Sequence, residues 1–306
     1  MSKPCLKQRI CGYVELIRPF TLLAPIIVSS SIMIASFFYN QFSGNLFIIG
    51  LTTIIPASFA LAILNGASNA LNQVTDLKTD KISKPYRPIP RGVISNSEAI
   101  KISVFMYASA IMLSLFISII FTFFICLIAF FTITYSLPPR MKNMLFVNQL
   151  WVGVPRGLLG VLASWCVFGS VLHPLPIAIG MIAMFFLIGG SITKDITDSY
   201  ADKKTGTKTL INTYGLKNAA FLVLPFMFFP FAFIPILIDS GILESYFWGL
   251  SLFAIPSCFI FYLMVRDSNK SRFFENTSSW TMMYFTYFVF ALGFSIITIQ
   301  NSIISL

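Results

Sequence analysis

The chain has 306 residues, of which 57% are hydrophobic and only 10% are charged, and its mean hydropathy is +0.83. Because a soluble domain carries about 25% charged residues, this composition excludes an ordinary soluble protein and favours a single membrane domain over residues 1–306. The 21 Lys and Arg against 11 Asp and Glu give a net charge of +10, which in a membrane protein indicates loops facing the cytoplasm and not a nucleic-acid partner.

Apolar runs of roughly 17–25 residues predict nine transmembrane helices in a single bundle, so the expected fold is an all-α membrane protein. After an N-terminal arm, residues 1–18, the spans cover 20–39, 47–70, 101–120, 123–137, 150–171, 175–193, 218–238, 243–265 and 279–300. The stretch from Ile102 to Leu137 is about twice the length of one crossing, and we predict a tight hairpin near Thr122 that divides it.

The distribution of basic residues supports nine spans with a cytoplasmic N-terminus. With that topology every Lys and Arg lies in the arm, in the loops after the second, fourth, sixth and eighth spans, or at their edges. Merging the predicted hairpin into one helix would place the two most basic loops, 72–100 and 194–217, on opposite faces. We therefore expect an integral protein of the cell membrane, with both of these loops in the cytoplasm.

Five of the eleven acidic residues form two clusters, at the cytoplasmic ends of the second and sixth spans. The first is Asn72-Gln-Val-Thr-Asp76-Leu-Lys-Thr-Asp80, and the second is Asp195-Ile-Thr-Asp198-Ser-Tyr-Ala-Asp202. If each span continues as a helix, the acidic side chains of each cluster share one face. Stacked carboxylates repel one another unless cations lie between them, and oxygen-only ligands favour Mg²⁺ or Mn²⁺ over zinc.

These clusters predict a metal-diphosphate site, because Mg²⁺ usually completes its shell with substrate phosphates. An apolar chamber beside such a site would hold the hydrocarbon tail of an amphiphilic substrate. One alternative is that the clusters are solvated helix ends whose carboxylates pair with neighbouring lysines. A second is an ion- or proton-coupled transporter, although a transporter would place its carboxylates near the middle of the membrane.

The motifs resemble those of the UbiA superfamily of intramembrane prenyltransferases. The two acidic stretches resemble its N-D-x-x-D-x-x-x-D motif, through Asn72, Asp76 and Asp80, and its K-D-x-x-D-x-x-x-D motif, beginning at Lys194. Three further segments look like family signatures: Glu15-Leu-Ile-Arg18-Pro, Arg87-Pro-Ile-Pro90 with Gly92, Ile94 and Ser95, and Tyr135-Ser-Leu-Pro-Pro139 with Lys142. The chain departs from the family at Gln73, often Asp, and at Ala201, often Gly.

The resemblance implies a Mg²⁺-dependent transfer of a prenyl group from a prenyl diphosphate to an acceptor, with two metal ions and release of diphosphate. It assigns metal binding to Asn72, Asp76, Asp80, Asp198 and Asp202. It makes Asp195 a helper or an acceptor-activating base and gives Tyr135 the role of shielding or orienting the reacting carbon. The residues expected to contact diphosphate are Arg18, Lys81, Arg87, Lys142 and Lys194. For each basic residue taken singly, a cytoplasmic loop charge is an equal alternative.

The acceptor is suggested by the segment Lys84-Pro-Tyr-Arg87-Pro-Ile-Pro, which looks more like the archaeal-lipid and chlorophyll-synthase branches than the ubiquinone branch. The resemblance therefore favours geranylgeranyl transfer to a lipid such as geranylgeranylglyceryl phosphate, made in contact with membrane lipids. An aromatic acceptor such as 4-hydroxybenzoate is the alternative.

Overall fold

The computed structural model describes residues 5–266 and 277–304, and within them every regular element is helical. A short first helix, α1 (Leu6–Ile17), precedes α2 (Pro19–Tyr39), α3 (Leu46–Thr75) and α4 (Leu77–Ser83). Next come α5 (Asn96–Leu115), α6 (Ile119–Ser136) and α7 (Val147–Gly153); a π-helical turn (Val154–Leu158) joins α7 to α8 (Leu159–Trp165). The remaining helices are α9 (Pro174–Thr205), α10 (Leu210–Tyr214), α11 (Leu216–Asp239), α12 (Ser245–Arg266) and α13 (Ser278–Ile304).

Eight of these helices are long and apolar enough to cross a membrane: α2, α3, α5, α6, α9, α11, α12 and α13. The predicted span 150–171 corresponds to the continuous helical stretch from α7 to α8, which is less apolar because it carries Asn148, Gln149 and Arg156. The protein is therefore an all-helical integral membrane protein. Part of the basic loop after the predicted span 243–265 lies outside the described residues.

The hairpin between α5 and α6 confirms that the long apolar stretch holds two helices, but the prediction of its position was wrong by about one turn. The chain turns at residues 116–118, before Thr122, because the Ser118 side chain accepts a hydrogen bond from the Phe121 backbone N–H at 3.0 Å and so caps α6. Apolar residues continue through the turn, so hydropathy does not indicate its position. The position is indicated instead by Ser118, a residue type favoured at the N-terminal cap of a helix.

The helices form a closed ring, in which α3 packs on α2, α5 and α6, and α9 packs on the π-helical turn and on α11. The ring closes where α12 packs on α13 and α13 packs on α2. Two apolar cores lie within it, one around α3, α5 and α6 and the other around α9, α11 and α13.

The corner between α1 and α2 is fixed by polar side chains of α3. Gln73 donates a hydrogen bond to the Leu16 carbonyl oxygen at 2.8 Å, and Asn69 donates one to the Ile17 carbonyl oxygen at 3.0 Å. Between the two helices Arg18 adopts the left-handed conformation, with φ 55°, which is uncommon for a residue other than glycine. Gln73 therefore positions the N-terminal helix.

Candidate active site

A polar cavity lies at the end of the bundle where α3, α6 and α9 finish. It brings together both acidic clusters, the Arg87 loop and the segment after α6. Its charged lining residues are Arg18, Asp76, Asp80, Lys84, Arg87, Lys142, Arg156, Lys194, Asp195, Asp198 and Asp202. Asn72 and Tyr135 line it as well. Eleven of the twelve residues that the sequence predicted for the site are therefore in one cavity.

The exception is Lys81, whose side chain is exposed and does not line the cavity. It lies on α4 one residue after Asp80, about 100° around the helix, so the same turn that buries Asp80 directs Lys81 outward. This position gives the predicted diphosphate contact of Lys81 no support.

The first acidic cluster is not one continuous helix, contrary to the condition under which its residues were expected to share a face. The α-helix ends at Thr75, Asp76 has φ −97° and ψ 9°, and α4 begins at Leu77. Backbone hydrogen bonds still join the Asp76 N–H to the Asn72 carbonyl oxygen at 2.9 Å and the Asp80 N–H to the Asp76 carbonyl oxygen at 2.8 Å. The four-residue spacing is thus preserved across the break, and all three side chains reach the cavity.

The second cluster forms the last turns of α9. A 3₁₀ turn, Ser191–Lys194, precedes a regular α-helix from Asp195 to Thr205. Asp195, Asp198 and Asp202 lie on the cavity side of this helix, as their spacing predicted. The helix end also packs on α4, so the two acidic clusters face each other.

Four of the five carboxylates are paired with basic side chains. Asp76 accepts hydrogen bonds from Lys142 and, at 3.0 Å, from Arg140. Asp80 is paired with Arg87 at 2.8 Å, Asp198 with Lys84, and Asp195 with Lys194 at 3.1 Å. Within residues 5–266 and 277–304, Asp202 has no basic partner.

Two of these pairs join distant segments of the chain, unlike the pairs with neighbouring lysines that are expected of solvated helix ends. Lys84 and Asp198 are 114 residues apart, and Lys142 and Asp76 are 66 residues apart. Lys84, Arg87 and Lys142 are all buried. Burying a charge is costly unless it is paired, so the ion pairs hold separate segments of the chain around one cavity.

Burial also changes the titration of two of these groups. It raises the pKa of the Asp80 carboxyl, against the opposing effect of the Arg87 and Lys84 charges. It lowers the pKa of the Lys142 ammonium group, against the opposing effect of Asp76. In both cases the charged form depends on its partner.

Tyr135, near the end of α6, lies close to two ammonium groups. Lys194 donates a hydrogen bond to the Tyr135 hydroxyl at 2.9 Å, and its Nζ is 5.5 Å from the ring centroid. The Lys142 Nζ is 6.0 Å from the same centroid. An aromatic face attracts a cation at this range, so the ring orients both lysines toward the cavity.

The oxygen atoms in the cavity fit a hard divalent metal ion. Asp195 Oδ2 is buried and has no hydrogen-bond partner within the described residues, and the Asp202 carboxylate has no basic partner there. Carboxylate and amide oxygens are the ligands that Mg²⁺ takes in proteins. In this arrangement no three acidic, His or Cys side chains of the described residues form a ready metal cluster, because Lys and Arg pair with most of the carboxylates.

A second, largely apolar cavity adjoins the polar one and extends into the bundle. Its walls include Ala24, Val28, Leu61, Leu64, Ile128, Gly160, Leu187 and Met283. Eight residues line both cavities: Thr21, Thr132, Val152, Pro155, Arg156, Lys194, Trp280 and Tyr284. The two cavities together therefore match an amphiphile with a charged head and a hydrocarbon tail.

Sequence reasoning did not assign several of these residues to the site. Lys84 was only one of many basic residues near the motifs, and Arg140 follows a motif without belonging to it. Arg156, Trp280 and Tyr284 lie in spans that carry no site motif, and Trp280 and Tyr284 are more than 70 residues beyond the second acidic cluster. Only the closure of α13 against α2 brings the last two to the cavity.

The family model described as "UbiA prenyltransferase family" matches residues 22–280. Two curated relatives are named digeranylgeranylglyceryl phosphate synthase. The protein of Methanobrevibacter smithii is 26% identical over 292 residues, which cover 94% of this chain and 99% of that protein. The protein of Methanococcus aeolicus is 29% identical over 277 residues, which cover 90% of this chain and 93% of that protein.

Solved structures resemble the chain over nearly its whole length. A UbiA homolog from Archaeoglobus fulgidus bound to DMAPP and Mg²⁺ superposes with a TM-score of 0.71 at 17% identity and covers 94% of this chain and 99% of its own. A structure reported for digeranylgeranylglyceryl phosphate synthase gives a TM-score of 0.62 at 22% identity, with 95% and 99% covered. At these identities the similarity concerns the fold.

Proposed function

Since the chain belongs to the UbiA prenyltransferase family, we propose that it transfers a geranylgeranyl group from geranylgeranyl diphosphate to geranylgeranylglyceryl phosphate and releases diphosphate. The names of its relatives support this acceptor. The observation that carries the proposal is the junction of a charged cavity with an apolar one. A prenyl diphosphate has the same division, since its diphosphate is charged and its tail is a hydrocarbon.

The proposed metal ligands are Asn72, Asp76, Asp80, Asp198 and Asp202, with Asp195 as a further ligand or as a base. This assignment is supported by the packing of α4 on the end of α9, which places the two acidic clusters on facing sides of the cavity. We propose Mg²⁺, with two ions and Mn²⁺ as a substitute; when bound, the metal stabilises negative charge on the departing diphosphate. The relative from Archaeoglobus fulgidus supports this choice, because it was solved with DMAPP and Mg²⁺.

The basic residues act on the same charge. When the C–O bond of the donor breaks, its electron pair leaves with the diphosphate, and Lys84, Arg87 and Lys142 already lie in the cavity to stabilise it. Arg18 and Lys194 line the same cavity. The acceptor hydroxyl oxygen forms the new bond to the prenyl carbon, and its proton passes to Asp195 or to the diphosphate. The apolar walls and the Tyr135 ring keep water from that carbon.

The topology is part of the proposal. The helical stretch from α7 to α8 would be the ninth span, which puts the N-terminus and the polar cavity on the cytoplasmic side. The basic loops 72–100 and 194–217 border that cavity and support this orientation. In a cysteine-free background, a cysteine at Lys208 should be shielded from an impermeant maleimide added to intact cells, whereas one at Asp239 should be labelled.

The decisive experiment measures diphosphate release and lipid product from purified protein supplied with geranylgeranyl diphosphate and Mg²⁺. Geranylgeranylglyceryl phosphate is offered beside 4-hydroxybenzoate, dihydroxynaphthoate and chlorophyllide. We expect product with the glyceryl phosphate and none after EDTA treatment, with activity restored by added Mg²⁺. Transfer to an aromatic acceptor alone would overturn the proposed acceptor and leave the prenyltransferase assignment intact.

A further inference from the structure

Arg156 is a charged residue within the apolar part of the bundle, and it lies where the polar and apolar cavities meet. An ionisable residue within a predicted membrane span usually marks a functional site. Of the residues that the structure describes, six basic ones line the polar cavity, and two of these six, Arg156 and Lys194, line the apolar one as well. Resting on the function proposed above, we propose that Arg156 binds the phosphate group of the acceptor lipid, at a site distinct from that of the donor diphosphate.

The Arg156 charge is available for a ligand. Lys194 is paired with Asp195, whereas Arg156 has no carboxylate partner in the described part of the chain. Its Nη1 donates to the Tyr284 hydroxyl at 3.3 Å, a long hydrogen bond to a neutral group. The other guanidinium donors have no partner among the described residues, and the side chain is solvent-accessible. Such a guanidinium is suited to a phosphate, which it can bind through two parallel hydrogen bonds.

The local structure fixes the position of Arg156. It lies in the π-helical turn, a distortion frequently found at functional sites. One residue later, a Cβ on Gly157 would lie 2.4 Å from the Met184 Cα, so this turn packs against the α9 backbone as closely as glycine allows. The Arg156 carbonyl oxygen accepts a hydrogen bond from the Tyr287 hydroxyl at 2.9 Å. Packing on one side and this hydrogen bond on the other hold the residue in place.

Aromatic side chains of α13 complete the site. The ring centroids of Trp280 and Tyr284 are 4.2 Å apart, and the ring centroid of Phe20, on α2, is 6.3 Å from that of Trp280. Tyr284 and Tyr287 are three residues apart on the same helix, so one contacts the Arg156 side chain and the other its backbone. Rings beside a cation at the edge of an apolar cavity suit a lipid whose head is anionic and whose adjoining carbons are apolar.

The acceptor carries its phosphate close to the hydroxyl that reacts. Glycerol has three carbons, so the free hydroxyl of a glyceryl phosphate lies within two carbons of its phosphate. The hydroxyl must reach the prenyl carbon next to the donor diphosphate, and the acceptor phosphate must therefore bind close by. The proposed metal ligands line only the polar cavity, whereas Arg156 lies at its junction with the apolar one.

The test compares two acceptors, geranylgeranylglyceryl phosphate and geranylgeranylglycerol, which lacks the phosphate. With Arg156→Gln we expect the KM for the phosphorylated acceptor to rise about 10- to 100-fold, the range for a lost charge-assisted hydrogen bond. The KM for geranylgeranyl diphosphate and the rate with the neutral acceptor should change less than about twofold. Arg156→Lys should restore part of the affinity, because lysine keeps the positive charge but lacks the paired donors of the planar guanidinium. Lys101→Gln, at an exposed position outside both cavities, is the control.

An equal loss with both acceptors, or a parallel rise in the donor KM, would overturn the assignment. If the wild-type protein transfers to neither acceptor, the proposed function fails, and binding still tests the inference. Hexadecylglycerol phosphate should then raise the Tm of the wild-type protein more than hexadecylglycerol does, and Arg156→Gln or Arg156→Lys should reduce that difference. An undiminished difference in the variant that folds would overturn the assignment.

Discussion

Arg87 donates hydrogen bonds from Nη1 to both carboxylate oxygens of Asp80, at 2.8 and 3.0 Å. Both side chains are buried, in a cavity that also holds four other aspartates. Because burial raises the pKa of Asp80 and Arg87 opposes that rise, the pair controls the pH at which this carboxylate can bind a cation.

The first prediction concerns this pH dependence. A proton should compete with Mg²⁺ for Asp80 at a higher pH than for an exposed aspartate, so the Mg²⁺ concentration for half-maximal turnover should rise as the pH falls. Arg87→Gln removes a charge that lowers the pKa of Asp80, and the rise should then begin at a higher pH. Titrations between about pH 5 and 8 would measure it. Arg91→Gln, whose partner Glu15 lies outside the cavity, should follow the wild type; an identical course in Arg87→Gln would contradict the prediction.

Asp76 and Asp198 provide the test of the metal site. Asp76→Asn and Asp198→Asn should each abolish measurable transfer, a loss of at least about 10²–10³-fold, because each removes a proposed ligand of the metal that stabilises the departing diphosphate. Extra Mg²⁺ should not restore it. Asp239→Asn, at an exposed position at the end of α11, should leave turnover unchanged. Retained turnover in both cavity variants would refute the metal assignment.

Tyr135 should protect the reacting carbon through its ring more than through its hydroxyl. Tyr135→Phe keeps the ring close to Lys142 and Lys194 and should lower the rate by less than about tenfold, since it removes one hydrogen bond. Tyr135→Leu removes the aromatic face and should raise the ratio of free geranylgeraniol to transferred product, because water then reaches the carbon. Product analysis by mass spectrometry would measure this ratio. An unchanged ratio in the Leu variant would exclude a shielding role.

Gly160 should set the length of prenyl chain that the apolar cavity accepts. It lines that cavity, and a Cβ placed on it would meet only the Pro155 carbonyl oxygen, at 3.5 Å. A larger side chain therefore extends into the cavity. In Gly160→Leu we expect kcat/KM for geranylgeranyl diphosphate to fall about tenfold, the cost of one poorly fitting group in an apolar pocket, while dimethylallyl diphosphate is used as before.

Two further variants separate this effect from a general loss of structure. Gly160→Ala adds one methyl group in open space and should change donor preference little. Gly157→Ala would place its Cβ 2.4 Å from the α9 backbone, and it should lower the Tm and the activity with all donors together, as overpacking does. If Gly160→Leu loses activity equally with both donors, Gly160 does not determine chain length.

The parts of the site that could be predicted from sequence are those written as local patterns. The spacing of Asp195, Asp198 and Asp202 predicts that they lie on one side of a regular helix, and the structure has a regular α-helix over these residues. Asn72, Asp76 and Asp80 reach the same cavity although the helix breaks at Asp76, because the hydrogen bonds of four-residue spacing continue through the break. Periodicity therefore predicted the location and not the break.

The rest depended on contacts between distant segments. Lys84 and Arg140 each pair with a cluster carboxylate that is more than 60 residues away, and nothing near either residue indicates which partner it has. Arg156 is distinguished in the sequence only as a charged residue within the predicted apolar span 150–171. Trp280 and Tyr284 belong to a helix that reads as an ordinary apolar span, and they reach the cavity because α13 closes the ring of helices.

The ion pairs of the cavity have a consequence for the order in which the site fills. Among the described residues, six positive and five negative side chains line it, so their charges nearly cancel, and a metal ion that binds alone must separate carboxylates from basic side chains without a compensating contact. A diphosphate that binds alone must likewise separate the basic side chains from the carboxylates. When the metal ion and the diphosphate bind together, the carboxylates can contact the metal and the basic side chains can contact the diphosphate, so the net charge of the site changes little. Affinity for each should therefore depend strongly on the concentration of the other, a thermodynamic linkage that makes the complex of metal and prenyl diphosphate the true substrate.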